Sequence, residues 1–178
     1  MKVTIFGLEG TGTSSAGKRL AKEMNWEFKS SGNMMREMAE KEGITLEQFN
    51  TRRIEIMKET GDDSSDREID DHIKEYGEMN NSFVFESRLA WFLIPDSFKI
   101  KLVCSDEVRS SRVASRDGVS LKEAHENNIR RQKENKEAYE MMYKKIVYPP
   151  EDSVFDLIID TGEKDLEEVV EEIINKVK

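Results

Sequence analysis

Cysteine is almost missing from this chain. Among 178 residues only Cys104 occurs, so no internal disulfide can hold the fold. Histidine is scarce as well, and His72 and His125 give no spacing that a zinc site could use. No apolar run approaches the ~20 residues needed to cross a bilayer. The first residues enter an apolar strand directly, with no charged and then apolar leader, which sets the expectation of a cytoplasmic protein without a membrane partner. Positive charge is in deficit: the net charge is −9 and the pI about 5.0, which argues against nucleic acid as a partner. Internal repeats, low-complexity tracts and linkers are absent, so one domain over residues 1–178 is expected, large enough to bury about 70% of its unfolded surface. Cys104 follows the apolar run Ile100-Lys101-Leu102-Val103 and reads as a packed thiol at a strand end.

The opening MKVTIFGLEGTGTSS is the most informative stretch. Lys2 to Phe6 is a β-rich apolar run, Gly7 to Gly12 is too glycine-rich to stay regular, and Ser14 to Met24 reads as a helix. Strand, glycine turn and helix together form a phosphate cradle, because backbone N–H groups converge without Cβ obstruction and the helix points its positive end at the same spot. The stretch nearly matches the P-loop pattern G-x-x-x-x-G-K-[ST]: Gly7 and Gly12 hold the glycine positions and Ser14 the hydroxyl that would bind Mg²⁺. Thr13 holds the lysine position, where a point charge normally follows the β and γ phosphates. Lys18 is five residues further on, roughly 140° round the helix. At this point a turn that merely joins a strand to a helix remains open as the alternative.

Further along, Trp26 to Lys29 is a short strand, and Ser30-Ser31-Gly32-Asn33 caps a helix that carries Met34, Met35, Met38 and Ala39 on one side, with Arg36 near its start. That corner suits a second phosphate, or is an ordinary cap with an exposed arginine. Thr45-Leu46-Glu47-Gln48 has the form of a capping box opening a helix to about Thr60. Gly61 to Ser65 breaks it, and Asp66 to Glu78 is helical with Ile69, Ile73 and Tyr76 at core spacing. Phe83-Val84-Phe85 is a strand followed at once by Glu86-Ser87-Arg88, placed like residues of a ligand crevice at a strand's carboxyl end. A surface ion pair is the alternative for Glu86.

Leu89 to Ile94 is apolar, Phe98 to Val103 is a fourth strand, and Ser105-Asp106-Glu107 caps a helix bearing Arg109, Arg112 and Arg116. A glycine turn at Gly118 leads to a long helix from Ser120 to roughly Lys145. Between Arg109 and Lys145 ten Lys or Arg face six Asp or Glu, an excess suited to a small polyanion. A solvated helix face is the alternative reading for the lysines. Phe155 to Thr161 gives the fifth strand and Leu166 to Val177 a closing amphipathic helix. Five strands alternating with helices imply an α/β fold: a parallel sheet with helices on both faces.

These segments, in this order and spacing, resemble the nucleoside monophosphate kinases of the P-loop superfamily, and most of all the compact archaeal-type cytidylate kinases. The resemblance rests on GLEGTGTSS, SSGNMMREMA, DREID, FVFESRLAW, SDEVRSSRVASR and FDLIIDT, and covers nearly the whole chain. It implies a P-loop NTPase-type three-layer sandwich with a core of residues 1–29, 82–108 and 150–178. A helical insertion at about 30–81 would bind the nucleoside monophosphate, and a helical-hairpin lid would span about 109–145. The resemblance further implies that ATP phosphates sit over Gly7, Leu8, Glu9, Gly10, Thr11, Gly12, Thr13, Ser14 and Ser15, with Mg²⁺ at Ser14. Arg112 would stack on the donor base or touch its phosphates. Ser31, Gly32, Arg36 and Arg88 match acceptor-side positions, Asp62, Asp66 and Asp70 lie where a base could be read, and Arg116 and Arg131 would close on the transferring group.

Three departures accompany the likeness: Thr13 for lysine, Ala138 where an arginine before Tyr139 is expected, and Asn33 and Ser87 for the usual Asp and Gly. Lys18, Lys133 or Lys136 are candidates to supply the missing charge. Two functions follow. One is a monomeric kinase moving the γ-phosphate of ATP to CMP or dCMP, or to another acceptor such as AMP or UMP. The other is a nucleotide-binding module without useful transfer.

Overall fold

The computed structural model describes residues 1–143 and 146–177. The expected end of the long basic helix near Lys145 therefore lies outside the described residues. Strand β1 (Lys2–Gly7) leads into α1 (Thr13–Met24), and β2 (Glu27–Ser30) is followed by α2 (Ser31–Lys41), α3 (Leu46–Thr60) and α4 (Ser64–Met79). After β3 (Phe83–Glu86) come a single-turn α5 (Ala90–Leu93) and β4 (Phe98–Val103). The packed pair α6 (Asp106–Asp117) and α7 (Leu121–Met142) precedes β5 (Leu157–Asp160) and α8 (Leu166–Val177). No helix among the described residues is long and apolar enough to cross a membrane.

The sheet has five parallel strands in the order β2-β3-β1-β4-β5. Its register, Ile5 opposite both Glu86 and Ile100, brings the carboxyl ends of β1 and β3 level with each other. Strand periodicity then sorts side chains to two faces. Val3, Ile5, Val84, Ile100, Leu102 and Ile159 pack against α1 and α8 through Leu20, Val170 and Ile173. Phe6, Phe83 and Phe85 face the other way, onto Ile69 and Ile73 of α4, Leu93 and Ile94, and the rings of Tyr139 and Tyr148. Both faces are thus covered, which is what a parallel sheet requires.

Most elements fall where the sequence puts them, and the capping box at Thr45 forms as read: its hydroxyl accepts from the Gln48 N–H while the Gln48 side chain takes the Thr45 N–H. Two differences have a local cause. The fifth strand is shorter than Phe155 to Thr161, because Asp152–Val154 turns as a 3₁₀ segment and delays pairing until Leu157. The apolar stretch Leu89 to Ile94 folds as one helical turn, with Ser87 Oγ accepting from the Leu89 N–H at its start.

Candidate functional site

A cavity of about 770 Å³ opens at the carboxyl ends of β1, β2 and β3, between α2 and α3 on one side and α6 and α7 on the other. Its floor is the glycine turn. Gly10 and Gly12 have φ of +84° and +89°, values that side-chain-bearing residues rarely adopt. A Cβ on Gly10 would meet the Arg109 carbonyl oxygen at 2.5 Å, so glycine is required there for packing as well. The turn is held from beneath: Arg109 Nε donates to the Glu9 carbonyl at 2.8 Å, and Thr161 Oγ1 to the Thr11 carbonyl at 3.0 Å. Thr11 is buried, with its hydroxyl turned back to the Leu8 carbonyl, and supports the loop rather than lining it.

Helix α1 starts at Gly12 with no side-chain cap and no acidic residue in its first turn. Helix α2 starts at Ser30 in the same condition, because the Ser30 hydroxyl donates to Glu86 Oε2 at 2.7 Å. The first turns of both helices, at Ser14 and Ser15 and at Ser31 and Gly32, border the one cavity. Two uncapped, positive helix ends therefore aim at the same space, an arrangement that favours an anion.

Glu86, at the end of β3, ties these starts together. Its Oε1 accepts from Thr13 Oγ1 at 3.2 Å and its Oε2 from Ser14 Oγ at 3.1 Å, beside the bond from Ser30. Ser14 and Glu86 offer hard oxygen donors of the kind Mg²⁺ takes, and among the described residues no three His, Cys, Asp or Glu stand together so as to hold a metal ion. The residues therefore fit a magnesium ion held mainly by phosphate oxygens and water, and they do not fit an ion caged by protein alone.

Basic groups close the walls. Arg88 lines the cavity with its guanidinium fixed twice, Nη1 donating to Tyr148 Oη at 2.7 Å and Nη2 ion-paired with Glu9 Oε1. Burial works to raise the Glu9 pKa, but the charges of Arg88, Arg131 and Arg109 and its own backbone N–H outweigh it and hold the carboxyl below its usual range. Arg36 is exposed and donates to Asn33 Oδ1 at 2.6 Å. Arg116 lies bidentate on Asp117 at 2.6 and 2.8 Å. Arg112 borders the cavity but is committed to the Thr161 carbonyl at 2.6 Å and to its hydroxyl at 3.0 Å. Arg131 borders it too and has no hydrogen bond or ion pair among the described residues.

Gly7, Leu8, Glu9, Gly10, Gly12, Thr13, Ser14 and Ser15 thus meet Ser31, Gly32, Arg36, Arg88, Arg112, Arg116 and Arg131 around one space. Five expected residues are not brought there: Thr11, which supports the turn from within, Asp62, Lys18, Asp66 and Asp70. Lys18 is exposed on α1 and lies outside the cavity, as its position round the helix from Thr13 implies. Asp66 is buried behind the wall in an ion pair with Arg53, and Asp70 accepts from Tyr143 Oη at 2.6 Å in the same layer. Burial pushes Asp70 up to about 6, assisted by the Asp66 and Asp71 charges and opposed by Tyr143 and Lys74. Arg53 itself, with Asn50 and Tyr139, borders the cavity and was not singled out in the sequence. The available signal was its spacing: Phe49, Arg53 and Met57 share the buried face of α3, and an arginine on an apolar stripe marks a buried partner.

The parallel sheet, the glycine turn and the uncapped helix starts define a fold and site of the P-loop type. Solved structures share the fold: an uncharacterized protein from Eubacterium ventriosum superposes with a TM-score of 0.72 over 99% of this chain and 98% of its own, at 20% identity. Shikimate kinase from Bacteroides thetaiotaomicron does so at 0.64 and 15% identity, with the same coverage. The model of the cytidylate kinase-like family matches residues 2–163. The chain is 33% identical to the cytidylate kinase of Archaeoglobus fulgidus, across 100% of this chain and 95% of that protein. It is 33% identical to that of Methanocaldococcus jannaschii, across 95% and 93%. The chain belongs to the cytidylate kinase-like family, and it is an enzyme of the nucleoside monophosphate kinase class.

Proposed function

We propose that this protein transfers the γ-phosphoryl group of ATP to CMP or dCMP. The observation that carries the reading is the convergence of two uncapped helix starts and four arginines, Arg36, Arg88, Arg116 and Arg131, on one cavity. In this reading the donor phosphates lie over Gly7 to Ser15, where loop N–H groups and the α1 end receive them. The acceptor's phosphate lies between the α2 start, Arg36 and Arg88, since guanidinium groups grip phosphate in a fork. Mg²⁺, when bound near Ser14, supplies charge neutralisation on the donor phosphates.

Helices α2 to α4 form the acceptor-binding insertion, and the α6–α7 hairpin forms the lid. Arg116 and Arg131 descend with it onto the transferring group, and closure keeps water from becoming the acceptor. All of these residues belong to one chain, so the site is complete in a monomer. Asp66, Asp70 and Lys18 carry no role in this reading.

A coupled assay across CMP, dCMP, UMP, AMP and GMP tests it. Turnover with CMP or dCMP above the others is the expected result, and background rates with all five end the proposal. One observation favours a second reading, a nucleotide-binding module without transfer: at the lysine position Thr13 donates its hydroxyl to Glu86 and brings no positive charge. Thr13→Lys separates the two. A silent protein revived by the change favours the module, whereas an active protein impaired by it favours a kinase whose charge comes from arginines.

A further inference from the structure

A carboxylate inside a phosphate-binding turn opposes the turn's task, since it sets negative charge where an anion must sit. Glu9 is such a group. Its side chain is 9% exposed, folded inward beneath the rim, and its pairing with Arg88 joins the turn to the segment just past β3. One oxygen, Oε1, receives Arg88 Nη2, while Oε2 is buried with no hydrogen-bond partner. Three cations surround it. Arg109 passes beneath through its bond to the Glu9 carbonyl oxygen, and Arg131 and Arg88 act on the carboxylate by charge.

The Arg88 guanidinium has five N–H donors in a rigid fork. Glu9 and Tyr148 take one donor each, from Nη2 and Nη1. No other group among the described residues takes the remaining donors, which leaves them for a ligand in the cavity, and their direction is set by the two that are used. Arg88 thus has a fixed orientation that a lone arginine would not keep, and a counter-ion that any incoming phosphate must share.

We propose that Glu9 is a positioning residue for phosphoryl transfer: it orients Arg88 across the mouth of the phosphate turn and competes with the acceptor's phosphate for that guanidinium. The inference rests on the reading of Arg88 as the grip on the acceptor. The two effects act on different quantities. Competition weakens binding of the monophosphate in the ground state, and orientation aids the transition state, where interactions raise turnover. Removing the charge while keeping the shape should therefore tighten acceptor binding and slow turnover together. A scaffold defect would weaken both.

The test compares the unaltered protein with Glu9→Gln and Glu9→Asp, reading CMP affinity by calorimetry, kcat and KM by coupled assay, and Tm. Glu9→Gln is expected to bind CMP about fivefold more tightly and to lose about tenfold in kcat. Glu9→Asp keeps the charge but draws it back by one methylene, so CMP affinity stays near that of the unaltered protein while kcat falls. If the glutamine variant does not fold, that split in the aspartate variant carries the proposal, and a kcat equal to the unaltered protein's sinks it.

A double-mutant cycle with Arg88→Met asks whether Glu9 acts through Arg88. In that background Glu9→Gln should alter CMP affinity less than about twofold. Unchanged or weaker CMP binding in Glu9→Gln, unchanged kcat, or tightening that persists without Arg88 each overturns the inference. Background turnover by the unaltered protein refutes the kinase reading alone. The competition is still read by binding, with pyrophosphate as the probe if CMP does not bind.

Discussion

Helices α3, α6 and α7 begin differently from α1 and α2. Thr45, Ser105 and Ser120 each turn a hydroxyl onto a backbone N–H of their own first turn, and acidic residues follow at Glu47, at Asp106 and Glu107, and at Glu123. At α1 and α2 there is neither cap nor acid, although Ser30 has the right side chain in the right place and gives it to Glu86 instead. A capped start contributes roughly 1 kcal/mol. Helix α4 also lacks a side-chain cap but carries Asp66 in its first turn, and the single-turn α5 has neither. Among the described helices longer than one turn, only α1 and α2 start with neither cap nor acid, and both of those starts border the cavity.

The largest expected effect comes from the cavity's fixed cation. Arg88→Ala should lower kcat/KM by about 10³, since it removes the fixed grip on the acceptor's phosphate and with it the alignment that transfer needs. Steady-state kinetics check it, with Tm as the control for folding. Next, Ser15→Glu places an acid in the bare first turn of α1. Nucleotide affinity should fall by about 10², since like charges at close range cost several kcal/mol. Unfolding stability should rise by about 0.3–0.5 kcal/mol, because the acid suits the helix end. A variant that loses stability or keeps its affinity breaks the comparison.

Asp70 gives a smaller, pH-dependent effect. Its folded carboxyl titrates near 6, above its ordinary 3.8, so the folded state holds the proton more tightly than the unfolded chain does. Its contribution to stability is present below about pH 4 and is lost as pH rises through 6. Asp70→Asn should therefore stabilise the protein at pH 7.5 by ~2 kcal/mol relative to its effect at pH 4, measured by denaturant unfolding at both values.

The smallest change is at the far side of the sheet. Asp165 and Glu168 form a reciprocal cap at the start of α8, each side chain accepting from the other's backbone N–H at 2.9 Å. Asp165→Ala should cost about 1 kcal/mol in unfolding experiments and leave kcat unchanged.

Much of this arrangement was legible beforehand for local reasons. The phosphate turn announces itself through Gly7, Gly10 and Gly12, and the capping box at Thr45 through a four-residue pattern, because both are made by neighbours in sequence. Strand β3 was legible from Phe83-Val84-Phe85. Glu86 and Arg88 were placed correctly at its carboxyl end, yet their partners were not foreseeable. Arg88 meets Glu9 and Tyr148 at separations of 79 and 60 residues, and nothing in the local composition ties them. Lys18 failed as a source of charge for a geometric reason that its spacing already carried. Asp66 and Asp70 looked like base-reading groups because acids near a presumed acceptor segment invite that reading. The inward stripe of α4, shared with Ile69 and Ile73, instead turns them toward Arg53 and Tyr143.

Sequence alone determined the class of the fold, the anion-binding turn and the supply of arginines, since glycine freedom, strand alternation and side-chain charge are properties of short segments. Tertiary structure alone decided which of those charges are available. Arg112 is spent on Thr161, Arg88 is held by Glu9, and Arg131 has no partner among the described residues. Those outcomes depend on distances between strands and helices far apart in the chain, and Coulomb and hydrogen-bond energies act only once packing has set such distances.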